Sequence, residues 1–261
     1  MKTALISVGT EMLMGQTVNT NVVYLSRELN TIGVDVLYHY TVGDNPDRLE
    51  TLIRMAYRDC DMVLTTGGLG PTQDDLTKET ICRVHGDTLV LHQPSLETLQ
   101  EMFRKMGHEL MENNYKQYDF PSRARVLENH QGTAPGFMLE TNGKIAICLP
   151  GPPREMQAMY QDQVKPYLES RSDGALYFRD IRTFGIGESQ LETAMLPLIN
   201  GQSNPTFATY AKEGESFLRI AAKATDREQA KAMVNAQLPA VREAIGPYIY
   251  SVDGEIGRAH V

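Results

Sequence analysis

The sequence predicts an α/β protein: a layered domain around a mostly parallel sheet, followed by a small α/β domain. Three observations predict it. Short apolar runs alternate with amphipathic stretches over residues 1–170, as expected for strands joined by crossover helices. The polar stretch Ser170-Arg171-Ser172-Asp173-Gly174 then breaks the pattern and reads as a linker. Beyond it the apolar residues follow a strand, helix, hairpin, helix, strand order, βαββαβ. The predicted boundaries are 1–170, 175–254 and a tail at 255–261.

Each element follows from local chemistry. Thr3 to Val8 is an apolar strand leading into Gly9-Thr10-Glu11, Gly15 and Asn19-Thr20-Asn21. A helix from about Asn21 places Val22, Leu25, Leu29 and Ile32 on one side and ends at Gly33. Strand Val34 to Val42 follows. Asn45-Pro46 then pairs a capping side chain with proline at the first helical position, opening a helix with Leu49, Leu52, Ile53 and Ala56 on its apolar face. Met62 to Thr65 is a third strand. The helix from Asp75 to Val84 carries Leu76, Thr80 and Val84, with Thr72 to Asp75 fitting a capping-box start.

Residues 86–130 read as an elaboration with helices near Ser95 to Met106 and Met111 to Tyr118. Phe137 to Thr141 and Lys144 to Leu149 flank Asn142-Gly143, a strong hairpin signal. Leu149-Pro150-Gly151-Pro152-Pro153-Arg154-Glu155 opens a further helix with Met156, Met159, Tyr160 and Val164 periodic. In the second domain the elements are Tyr177 to Phe184, Gly187 to Leu198, Thr206 to Ala211 with Ser216 to Ala224, Asp226 to Ile245, and Tyr248 to Val252.

The 261 residues are 41% hydrophobic and 22% charged, a globular composition. No apolar tract reaches the roughly 18–20 residues that span a bilayer, and Lys2 leads straight into a strand with no signal-peptide pattern. A cytoplasmic location is the expectation. Cys60, Cys82 and Cys148 lack C-x-x-C spacing, and the six histidines lack H-x-x-H spacing, so neither disulfides nor zinc are indicated. A formal charge of −8 with no basic stripe argues against nucleic acid and anionic membranes as partners. A small molecule is the expected ligand.

The most telling segment is Thr65-Thr66-Gly67-Gly68-Leu69-Gly70-Pro71-Thr72-Gln73-Asp74-Asp75. Closely spaced glycines ahead of a helix make a phosphate cradle. The adjacent carboxylates would repel a phosphate unless a divalent cation bridged them. The segment lacks the third glycine of a dinucleotide fingerprint and the Gly-Lys-Ser/Thr of a Walker A loop. Its plainer reading is a tight strand-to-helix turn.

The other candidates carry alternatives too. Glu11 reads as a cation ligand or a solvated acid, Asp44 as a ligand or a turn residue, and Asn19 and Asn21 as ligand contacts or helix caps. Lys78 follows Asp75 by one turn, to cap a phosphate or pair with an acid. Arg154 is a phosphate fork or a surface ion pair. Phe184-Gly185-Ile186-Gly187-Glu188-Ser189 reads as a structural turn, because no acid or base cluster accompanies it.

Together Ser7 to Glu11 with Gly15 and Asn19 to Asn21, Thr65 to Asp75, and Leu149 to Met156 resemble the three-layer molybdopterin-binding domain of MogA and MoaB proteins. With Phe184 to Ser189 and Tyr210-Ala211-Lys212-Glu213-Gly214 added, residues 1 to about 254 resemble the CinA, or competence/damage-inducible, family. The resemblance implies divalent-metal-dependent hydrolysis of ADP-ribose to AMP and ribose 5-phosphate, with the metal (Mg, Mn or Co) held among Glu11, Asp44, Asp74 and Asp75. It places Asp44 and Asp75 where acids act on metal and diphosphate and the Gly67 to Thr72 loop on phosphate; with the residues' own chemistry added, catalytic roles are expected for Asp44, Asp74, Asp75 and Lys78. Substrate contacts would come from Thr10, Glu11, Gly15, Asn19, Asn21, Gly67, Gly68, Leu69, Gly70, Pro71, Thr72, Gly151 and Arg154. It also implies a homodimer, and full-length relatives with a C-terminal nicotinamide-nucleotide amidase domain. Asp74 stands where MogA-type proteins carry arginine, which speaks against molybdopterin adenylylation. A regulatory nucleotide- or pterin-binding module and an adenylyltransferase stay open as alternatives. Glu255-Ile256-Gly257-Arg258-Ala259-His260-Val261 can be translated from the sequencing adapter beginning AGATCGGAAGAGC, so the tail is expected to be an artefact and the protein truncated near Gly254.

Overall fold

A computed structural model of the chain describes residues 1–106, 112–171, 174–212 and 214–252. The predicted tail at 255–261, Met111, Glu213 and the linker residues Ser172 and Asp173 lie outside the described residues. The chain divides into two compact units, the first holding Met1–Asn30 and Val34–Arg171 and the second holding Thr31–Gly33 and the described residues from 174 on.

In chain order the first unit comprises β1 (Lys2–Val8), α1 (Thr10–Leu13), α2 (Thr20–Thr31), β2 (Asp35–Val42), α3 (Pro46–Asp59), β3 (Met62–Thr66), α4 (Thr77–His85), β4 (Leu89–Leu91), α5 (Gln93–Met106), a 3-10 turn (Glu112–Tyr118), β5 (Asp119–Pro121), β6 (Arg125–Leu127), β7 (Gly136–Thr141), β8 (Lys144–Leu149), α6 (Pro153–Met159), a π-helical turn (Tyr160–Val164) and α7 (Lys165–Glu169). Six strands form one sheet in the order β2-β1-β3-β8-β7-β6. The four strands β2, β1, β3 and β8 run parallel, and β7 and β6 continue the sheet antiparallel. The C-terminal ends of those four parallel strands therefore lie along one edge. That edge carries the candidate site.

The centre of the sheet is covered on both faces, so β3 is buried at every position from Met62 to Thr66 and reads as a continuous apolar run rather than an alternating one. On one face Ala4, Ile6, Val63, Ala146 and Cys148 pack with Leu49, Ile53 and Ala56 of α3 and Ile81 of α4. Full burial of each large aliphatic contributes about 1.5–3 kcal/mol. Asn45 caps α3 by accepting the Arg48 N–H at 2.9 Å, with Pro46 as the first helical residue. The hairpin turn holds both Asn142 (φ 52°) and Gly143 (φ 72°) in the left-handed region, as its Asn-Gly pair predicts. All three cysteines are free and buried, and burial pushes the Cys148 thiol up to about 12.

The elaboration holds more strand than its sequence predicts. Strands β4 and β5 pair as a separate ribbon, β6 joins the main sheet, and the second helix is a 3-10 turn. Three-residue strands carry too few periods to be legible.

The second unit comprises β9 (Ala175–Thr183), α8 (Glu188–Ile199), β10 (Thr206–Lys212), β11 (Glu215–Ala224), α9 (Arg227–Asn235), α10 (Leu238–Ile245) and β12 (Ile249–Val252). Its antiparallel sheet has the order β10-β11-β9-β12, and its core joins Ile181, Leu191, Met195, Leu218, Ile220, Val234, Val241 and Ile245. The single helix predicted over Asp226 to Ile245 is two. Pro239 falls within the first turn of the second helix, where its missing N–H costs nothing. Among the described residues no helix is long and apolar enough to cross a membrane.

Candidate functional site

Gly67 N–H donates to the Leu149 carbonyl at 3.0 Å, which ties the end of β3 to the end of β8. Gly67 and Gly68 have φ of 95° and 69°, open to glycine at little cost. A Cβ on Gly67 would stand 2.2 Å from the Val8 carbonyl oxygen, so the turn lies directly on the end of β1. Thr77, the first residue of α4, closes the loop: its hydroxyl donates to the Gly67 carbonyl at 3.0 Å and its N–H to the Gly68 carbonyl at 3.2 Å. Leu69 anchors the middle of the loop in the core at 2% exposure. The Gly67 amide is thereby engaged within the protein and adds no free donor to the predicted cradle.

The acid side of the loop is equally held. Asp75 Oδ2 accepts the Thr72 N–H at 3.0 Å and the Thr72 hydroxyl. This is the pairing that the sequence places at the helix start, but it forms a turn ahead of α4, which begins only at Thr77. Hydrogen bonding from Thr72 holds the Asp74 carboxyl below the usual carboxylate range. From the elaboration, Lys116 Nζ donates to the carbonyls of Thr72 (3.0 Å) and Asp75 (2.5 Å) and pairs with Glu79 at 3.4 Å.

Lys78 does not line the cleft, correcting its predicted catalytic role. It is 1% exposed, its Nζ donates to the Lys116 carbonyl at 2.6 Å, and it lies 5.0 Å from the centre of the Phe120 ring. Burial lowers its pKa to about 8. Its contacts support the segment whose lysine grips the acid turn.

At the ends of β1 and β2, the N–H and hydroxyl of Thr10 donate to Asp44 Oδ2 at 3.0 and 2.7 Å. Thr10 thus orients an acid and is not a lining residue. Asn19 donates to the Ser7 hydroxyl at 2.7 Å and accepts the Val22 N–H at 3.4 Å, a capping role. Asn21, 8% exposed, donates to the Gly151 carbonyl at 2.7 Å. Neither asparagine lines the cleft, nor do Gly15, Pro71 and Arg154. Exposed Arg154 is displaced by its neighbour Glu155, which lines the cleft and accepts from Asn129 Nδ2 at 2.6 Å.

The result is an open cleft of about 420 Å³ at the strand ends. Of the predicted residues it gathers Glu11, Asp44, Gly67, Gly68, Leu69, Gly70, Thr72, Asp74, Asp75 and Gly151, and it adds Gly9, Thr133, Ala134 and Glu155. Among the described residues, five carboxylates and no lysine or arginine line it. Such a site repels a bare phosphate at contact distance, so the donor set fits a hard divalent cation accompanying an anion. Among the described residues no three His, Cys, Asp or Glu converge into a ready cage. A cation here would be shared between one or two acids and the ligand's own oxygens, the usual arrangement for magnesium.

A family described as "Probable molybdopterin binding domain" matches residues 4–170, and one described as "Damage-inducible protein CinA KH domain" matches residues 178–251. The chain belongs to the CinA-like family. Relatives include a "CinA-like protein" of Dictyoglomus turgidum, 48% identical over 98% of this chain, and a "Putative competence-damage inducible protein" of Clostridioides difficile, also 48% identical over 98%. The chain spans 62% and 61% of the length of those two relatives. The crystal structure of a CinA protein of unknown function from Thermoplasma acidophilum is similar at 35% identity and a TM-score of 0.59, covering 63% of this chain and 96% of that one.

Proposed function

We propose that this CinA-like chain binds a nucleotide diphosphate in the cleft and hydrolyses its pyrophosphate bond, converting ADP-ribose to AMP and ribose 5-phosphate. The observation that carries the reading is the meeting of the glycine loop with Glu11, Asp44, Asp74 and Asp75 at the ends of adjoining parallel strands, where open α/β sheets take their ligands. A divalent cation, Mg, Mn or Co, would be held by these acids together with phosphate oxygens; when bound, it screens phosphate charge and lowers the pKa of water.

The chain's own residues supply position and a proton acceptor. The glycine loop seats the diphosphate against the strand ends. Asp44, anchored through Oδ2 by Thr10, accepts the proton released as water adds to phosphorus. The bridging P–O bond breaks and its electron pair leaves with the AMP phosphate. Asp75, fixed by Thr72 and Lys116, keeps the acid face in place. By family resemblance the protein works as a cytoplasmic homodimer, which light scattering on purified protein tests.

Incubation with ADP-ribose and a panel of divalent metals should release AMP and ribose 5-phosphate in equal amounts. Absence of AMP with every metal would overturn hydrolysis. A second reading, a nucleotide sensor without turnover, is favoured by the lack of a three-acid cage among the described residues. Tight calorimetric binding of ADP-ribose without product selects it.

A further inference from the structure

A second cavity of about 250 Å³ adjoins the cleft, and the elaboration and the loop before β7 build it. Thr133 lines both spaces. The wall between them is pinned from each side. Asn129, on the cavity side, donates to Glu155 in the cleft at 2.6 Å, and the Tyr118 hydroxyl donates to the Thr133 carbonyl at 2.9 Å.

The second cavity is less acidic and more apolar than the cleft, with Glu128 its one carboxylate among the described residues, 3.6 Å from His130. The cleft is a bowl of carboxylates. The second cavity sets Leu99, Tyr118 and Val126 against a few polar groups, among them Ser95 and His92, whose Nδ1 lies 2.7 Å from the Ser95 oxygen. Among the described residues no lysine or arginine lines it, which gives a bare phosphate little to bind. An apolar enclosure with a few convergent polar groups suits a flat, uncharged ring carrying hydrogen-bonding edges.

We infer that this cavity is the subsite for the nucleoside end of the diphosphate ligand, with the strip from Asn129 to Thr133 as the threshold between base and phosphates. The inference rests on the diphosphate reading and extends it: the elaboration at residues 86–130 supplies substrate selection as well as the lysine that grips the acid turn.

Calorimetry on the full chain with three probes, inorganic pyrophosphate with Mg²⁺, adenosine alone, and ADP-ribose with Mg²⁺, separates the two claims. Thr98 is an exposed lining residue on α5, so Thr98→Trp fills the cavity without disturbing the core. The expected result is unchanged pyrophosphate binding, with loss of adenosine binding and a weakening of ADP-ribose by about tenfold or more. Glu97→Gln, exposed on the same helix and lining neither space, should bind all three as the parent does. Should thermal melting show Thr98→Trp unfolded, Ser95→Phe fills the space from a second position with the same expectation. A filled but folded variant that keeps parental affinity for ADP-ribose overturns the subsite while leaving the cleft reading intact. Failure of pyrophosphate to bind the parent protein overturns both.

Discussion

Two glycine turns that look alike in sequence occupy opposite situations. Gly67-Gly68-Leu69-Gly70 follows β3, and Gly185-Ile186-Gly187 follows β9; both lead from a strand to a helix. At Gly67 a Cβ would meet the Val8 carbonyl at 2.2 Å, and at Gly70 it would meet Asp75 Oδ2 at 2.5 Å, whereas nothing lies within 4 Å of such an atom at Gly185 or Gly187. A parallel sheet brings several strand ends to one edge, so a turn there is crowded by its neighbours and shares a cleft with them. In the antiparallel sheet of the second unit, neighbouring strands end on opposite edges, and the turn stands clear. A glycine turn marks a candidate site when strand ends gather around it.

The sharpest test removes an acid from the crowded turn. Asp75→Asn should lower hydrolysis by on the order of 10²–10³-fold, the scale of losing one placed electrostatic group, with an unchanged thermal melt. Activity within a few-fold of the parent would remove Asp75 from the site.

Gly67→Ala against Gly185→Ala tests the crowding directly. Both positions have positive φ (95° and 78°), which costs a non-glycine residue about 1–2 kcal/mol. Only the first also drives a methyl into backbone. Chemical denaturation should therefore show a loss of about 3 kcal/mol or more at Gly67 and about 1–2 kcal/mol at Gly185. Equal losses would break the comparison.

Lys116→Met releases the Thr72 and Asp75 carbonyls while substituting no lining residue. Misplacing a catalytic group from a distance costs up to about 10²-fold, so kcat should fall by about 10–100-fold with KM nearly constant and partial rescue by Lys116→Arg. A purely structural lysine would lower the melting temperature and leave kcat of the folded fraction untouched.

A pH-dependent effect concerns Lys78. Its folded pKa of about 8 lies below its ordinary value of 10.5 because of burial. Below pH 8 both folded and unfolded chains carry the proton, and the full cost of burying the charge is present. Between about pH 8 and 10.5 the folded chain has released a proton that the unfolded chain keeps, so stability rises with pH. Relative to Lys78→Met, the parent should gain on the order of 3 kcal/mol across that window, read by denaturation at each pH. A flat difference would mean that the ammonium is solvated.

Much of the first unit was legible because its signals are local. Asn45-Pro46 names a cap and a first helical residue, Asn142-Gly143 names a hairpin, and the apolar runs at 3–8 and 62–65 name buried strands. Glu11, Asp44, Asp74 and Asp75 were legible as acids beside strand ends. Lys78 was misread because its spacing from Asp75 places both on one helix only if the helix includes Asp75, and α4 starts two residues later. Arg154 and Glu155 are adjacent in sequence, and only the packing of α6 turns one to solvent and the other to the cleft.

By itself the sequence determined the strand and helix pattern, the glycine turn and the acids, since periodicity, capping and turn preference act over a few residues. Tertiary structure alone decided that Lys116 grips a turn 41 residues away, that Asn129 reaches Glu155 across 26, and that a second cavity opens beside the first. Those outcomes depend on chain segments brought together by burial of the sheet, and no local preference encodes the distance between them.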